Sequence, residues 1–140
     1  MKQRAARLWV LAGLATLTAA AGARMGEGPT TLAIMHKAFT NKRSPLAVVK
    51  KELSSETPDR EKVRQATEKF VTLAEALARN EPRHGERASW KRLTDEHVSD
   101  VRAMHEAAGR GDMETVRAAY TRVANSCKAC HDAHKFRPDR

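Results

Sequence analysis

Apolar residues recur at intervals of three and four from Leu32 to Cys127, and a chain patterned in this way buries them by packing α-helices side by side. Strands find no support, because aromatic and β-branched residues are too scarce and too widely spaced. Four helical segments are expected. The first runs from about Thr31 with Leu32, Met35, His36 and Phe39 on one side, breaks near Asn41 to Ser44, and resumes at Ser44-Pro45 with Leu46, Val49 and Leu53. The second opens at Thr57-Pro58, carries Val63, Ala66, Phe70, Leu73 and Leu77, and stops before Pro82. The third aligns Trp90, Leu93, His97, Val101, Met104 and Ala108 and closes at Gly109-Arg110-Gly111. Asp112 caps the fourth, which aligns Met113, Val116, Tyr120, Val123 and Cys127. Short connections make neighbours antiparallel, so the expected fold is an all-α, antiparallel four-helix bundle.

Ahead of this domain, Lys2, Arg4 and Arg7 precede an apolar run from Leu8 to Ala21, and Ala21-Gly22-Ala23 has the small residues of a cleavage site. Residues 1–23 read as a secretory signal peptide cleaved near Ala23, leaving residues 24–140 as one exported, periplasmic domain. The run is short and Ala/Gly-rich for a spanning helix, so stable membrane insertion is not expected after cleavage, an uncleaved anchor being the alternative. The chain's formal charge of +9 falls to +6 once residues 1–23 are removed, a moderately basic balance that favours an acidic partner or an anionic membrane face. Because Lys and Glu are mixed along the chain, the charges also read as an ordinary solvated exterior, and nucleic-acid binding finds little support.

The end of the last helix carries Cys127-Lys128-Ala129-Cys130-His131. Two thiols three positions apart, followed directly by a histidine, form the attachment signature of a c-type haem. Each cysteine can form a thioether with a vinyl group, and the adjoining imidazole can bind the iron, which implies one covalent haem c per chain. Other readings of these residues are less apt. A thioredoxin-like couple needs a βαβ setting, and a zinc site formed by Cys127, Cys130, His131 and His134 would crowd four ligands onto one short helical stretch. A disulfide would close only a tiny loop.

With that motif at the end of the fourth helix, the chain resembles the class II c-type cytochromes, the cytochrome c-prime group. Asp132-Ala133-His134-Lys135 is similar to the family's motif tail, with a basic residue four positions past the histidine, and Ser89-Trp90-Lys91-Arg92-Leu93-Thr94 with Pro45 resembles a six-coordinate periplasmic subgroup. The resemblance implies that a residue of the first helix faces the distal side of the haem. Met35 occupies the matching stretch, and its soft thioether suits the iron of an electron carrier. His36 is the competing ligand, and Met35 as mere core packing would leave the iron open to NO or CO. Both can hardly reach one iron, since consecutive residues are turned about 100° around a helix axis.

His97 falls on the inner stripe and reads as a satisfied core histidine or a propionate partner, whereas His84, His105 and His134 read as solvent-facing. Trp90 either packs on the haem or closes one end of the bundle. No paired carboxylates beside a pocket, nucleophile elbow or phosphate-binding loop suggests catalysis. The expected protein passes single electrons between redox partner proteins, and the family's two-helix dimer surface makes a homodimer an option.

Overall fold

A computed structural model describes residues 28–134; the expected signal peptide and Lys135 lie outside the described residues. Five α-helices are formed among the described residues: α1 Thr31–Phe39, α2 Pro45–Leu53, α3 Arg60–Ala78, α4 Arg87–Gly109 and α5 Met113–His134. The fold is all-helical, with the first position of a four-helix bundle shared by α1 and α2. The break between them is specified locally. Thr40 closes α1 by donating its hydroxyl to the His36 carbonyl at 2.8 Å, and Asn41 Oδ1 accepts the Arg43 N–H at 2.9 Å. Ser44 then caps α2 with Pro45 in its first turn.

The other ends follow the same chemistry. Glu52 is buried and accepts the Asp59 N–H at 3.0 Å, and Asp59 in turn accepts the Lys62 N–H at 3.0 Å. This places the start of α3 at Arg60, two residues beyond the expected Thr57-Pro58 opening, because a carboxylate in the capping position satisfies a free amide better. Gly111, at φ +70°, ends α4 in a Schellman turn, with its N–H on the Ala108 carbonyl and that of Asp112 on the Ala107 carbonyl, each at 3.0 Å. Asp112 Oδ1 then accepts the Thr115 N–H at 3.0 Å and opens α5.

Between the helices, Val49, Val63, Phe70, Val101, Met104, Val116 and Val123 form a continuous buried core. Phe39 meets Phe70 edge-on at 5.6 Å between ring centroids. Ile34, Ala76, Leu77 and Trp90 form a second cluster toward the other end, with Met35 and Cys130 packed against it.

Two expectations about α1 change. Leu32 is 78 % exposed and belongs to the outer surface, whereas Ile34 and Ala38, absent from the expected stripe, are buried. The stripe is rotated because α1, only nine residues long, packs through Ile34 and Ala38 and turns Met35 and Phe39 sideways. Asn80 holds its start, donating from Nδ2 to the Pro29 carbonyl at 3.1 Å and to Thr31 Oγ1 at 3.3 Å. No helix among the described residues is long and apolar enough to cross a membrane.

Candidate haem site

A cavity of about 290 Å³ opens between the two clusters, and the elements around it bring the motif and α1 to the same space. From α5 come Ser126, Cys127, Cys130 and His131; α1 supplies Met35 and Phe39. Leu46 of α2, Leu77 of α3 and Leu93, Thr94 and His97 of α4 complete the wall. Helical spacing explains the α5 contribution: positions 127, 130 and 131 lie within about one turn and share a face. A second, wider groove of about 670 Å³ runs along α3 and α4, but it is lined by charged side chains such as Glu75, Arg79 and Asp95 and lies away from the motif.

The lining fits a large apolar macrocycle. Its aliphatic and aromatic side chains carry no formal charge, and the hydroxyls of Thr94 and Ser126 are committed to carbonyls, donating to Trp90 O and Val123 O at 2.9 Å each. Cys127 and Cys130 are free, half-buried thiols. Burial pushes both thiols above their usual range, and the neighbouring Cys127 adds to the effect at Cys130. They are poor thiolates, a disposition unlike that of a reactive redox couple. His131 stands at the rim, exposed to solvent while still bordering the cavity.

The two histidine neighbourhoods differ from the pattern expected of surface residues. His134 is buried, not solvent-facing: its Nδ1 meets the His84 carbonyl at 2.8 Å, its Nε2 meets Ser89 Oγ at 3.0 Å, and its ring stands edge-on to Trp90 at 5.2 Å. The last turn of α5 docks against the α3–α4 connection, where Gly85 makes the approach possible. At φ +81° it has no Cβ, and one built there would lie 2.4 Å from the Ala133 carbonyl. The signal was present in the sequence, since His134 stands seven positions after Cys127 and four after Cys130, on their face. Both ring nitrogens of His134 are thus engaged away from the cysteines, which removes it from any shared metal set. His105 is also partly buried, bound through Nδ1 to Thr67 Oγ1 at 3.0 Å, because α3 packs alongside it. His84 is exposed.

Met35 borders the cavity, whereas His36, one position on, is exposed and outside the lining. Trp90 closes the end of the bundle: its indole donates to the Asn80 carbonyl at 2.7 Å, and it is buried behind Met35 and Cys130.

A family described as Cytochrome C' matches residues 83–135, the stretch that contains α4 and α5 with the whole motif. Its last two helices are thus similar to the cytochrome c' family. It is also 40% identical over 48 residues to "Cytochrome c'" of Alcaligenes xylosoxydans xylosoxydans, a match that covers 34% of this chain and 38% of that relative's length. No solved structure matches the chain. Cytochrome c' proteins bind covalently attached haem c, and both cysteines of the motif are present in this chain as Cys127 and Cys130.

His97 is a buried member of this wall, set between the rings of Phe39 and Phe70. Ser126 has only one hydroxyl proton, which goes to Val123 O, so the 3.3 Å contact to His97 is an Nδ1–H donating to Ser126 Oγ. Burial holds the imidazole below its ordinary value of 6.5, with the Asp100 carboxylate acting the other way. The unfolded chain therefore takes up a proton here that the native state refuses. Stability is retained above about pH 6.5 and falls as the pH drops from there toward the depressed native value, by at most about 1.4 kcal/mol per pH unit. Urea unfolding of the holoprotein at about pH 7.5 and about pH 5.5 is expected to show a smaller loss for His97→Gln than for the parent; equal losses would contradict this assignment.

Proposed function

We propose that this chain is a member of the cytochrome c' family and a periplasmic carrier of single electrons, a six-coordinate haem protein with no catalytic turnover of its own. Met35 on the cavity wall, with His36 turned to solvent, is the observation that carries the reading. In it, Cys127 and Cys130 hold haem c by thioether bonds, His131 is the proximal ligand and Met35 the distal one. Haem c supplies the ferric–ferrous couple. The chain's own part is to keep that couple dry and its ligands still: Leu46, Leu77 and Leu93 exclude water, and Asn80 and Trp90 hold the ends of the helices that bear Met35 and Cys130. Support for export comes from the basic residues and apolar run at the amino terminus, since haem is joined to such motifs outside the cytoplasmic membrane.

The optical spectrum of the matured protein, ferric and ferrous, with and without carbon monoxide, tests the reading. A low-spin spectrum unmoved by carbon monoxide is the expected result. A high-spin spectrum that shifts on adding the gas would mean an open distal side, and the protein would then be a binder of NO or CO.

A further inference from the structure

From α1 through α2 the chain is rich in cations and poor in acids. Between Thr31 and Leu53 stand five cations, Lys37, Lys42, Arg43, Lys50 and Lys51, against one acid, Glu52, which is buried on the Asp59 amide. The α2–α3 loop that follows adds two acids, Glu56 and Asp59, and no cation, and from Arg60 to His134 fourteen Lys and Arg are set against twelve Asp and Glu, many joined in pairs such as Arg64–Glu61, Lys91–Asp95 and Arg122–Asp100. The five α1–α2 cations are all exposed, and none is ion-paired with a described residue. Their position matters more than their number. Lys42 and Arg43 lie on the turn between Thr40 and Leu46, both of which line the cavity. Leu32, the one large hydrophobic residue strongly exposed among the described residues, is on the same short helix as Lys37.

We infer that the outer face of α1 and the α1–α2 turn is the docking surface for an acidic protein partner, with Leu32 as its apolar contact and Lys37, Lys42 and Arg43 as its charged rim. A field of one sign beside the opening speeds encounter and orients it, and a single apolar side chain within a polar rim is the composition of a transient interface. An anionic membrane is the less fitting occupant, since binding in a bilayer surface needs a broad apolar helix face, and α1 offers Leu32 alone on its outside. That partner's role as electron donor or acceptor rests on the proposed function, but its binding does not.

Binding is therefore the quantity to measure, by surface plasmon resonance of the holoprotein over an immobilised acidic flavodoxin, with co-sedimentation on phosphatidylglycerol vesicles in parallel. The parent should bind the flavodoxin with an affinity that falls steeply with salt. Lys42→Glu should weaken it about tenfold at low ionic strength, and Leu32→Ser should weaken it with the salt dependence unchanged. Arg110→Glu, the same charge change at the α4–α5 turn, should have less than about a third of that effect. Equal losses from Lys42→Glu and Arg110→Glu would reduce the surface to net charge and overturn the inference. So would binding to the vesicles but not to the flavodoxin. A high-spin, gas-binding spectrum alongside site-specific flavodoxin binding would overturn the electron-carrier reading and leave the docking surface standing.

Discussion

Replacement of Met35 by alanine is expected to convert a low-spin haem protein into one that is high-spin and binds carbon monoxide in the ferrous state. The reason is geometric. α1 presents Met35 and Phe39 to the cavity and His36 to solvent, so loss of the thioether leaves on the α1 wall only a phenyl ring, which has no donor atom for iron. Stability should suffer far less, by about 1–2 kcal/mol, because Met35 is only partly buried and Ile34 and Ala38 keep α1 on the core. The pairing of a large spectral change with a small loss in unfolding free energy separates a ligand from a packing residue. A low-spin spectrum that survives the substitution would instead point to another ligand, and Met35→Ala/His36→Ala would then test whether α1 rearranges to bring the imidazole inward.

The second large effect concerns attachment. Cys127→Ala/Cys130→Ala should carry no haem through denaturing electrophoresis, and Cys130→Ala alone should retain well under half of the parent's haem stain. The two thiols are not equivalent in their surroundings. Cys127 lies against the Val123 carbonyl at 3.5 Å, whereas Cys130 packs on the cluster of Trp90, Ile34 and Leu77. Loss of Cys130 removes both a bond and a packing contact, so it should be the more damaging of the single changes. Full staining of the Cys130→Ala protein would defeat the thioether assignment at that position.

Both effects trace to residues visible in the sequence, and the reason is that their chemistry is local. The spacing of Cys127, Cys130 and His131 lies within a few residues of one helix, and helical geometry alone puts them on one face. The break between α1 and α2 was equally legible, because Ser44 and Pro45 act on the amides beside them. The cation-rich α1–α2 stretch could also have been found, by counting acids between Thr31 and Leu53 and not over the whole chain.

Other features required the packed structure. A period of 3.6 says that a helix has an inner face but not how a short helix is rotated on its neighbours, and α1 was misread for that reason, with Leu32 expected inside and found outside. The spacing of His134 from Cys127 and Cys130 puts it on their face but does not say what covers it there. It is buried because Gly85, forty-nine residues earlier in the chain, allows the α3–α4 connection to close over it, and Trp90 and Ser89 supply the remaining contacts. His97 likewise owes its depressed basicity to burial, set between Phe39 of α1 and Phe70 of α3.

The sequence by itself determined the helical class, the helix ends apart from the start of α3, and the haem-binding motif, since each depends on interactions within a turn or two of the chain. Only the tertiary structure decided which side chains of α1 face the cavity and which histidines are withdrawn from water. Those outcomes depend on contacts between residues far apart in sequence, and the rotation of each helix is settled by the best joint packing of all of them.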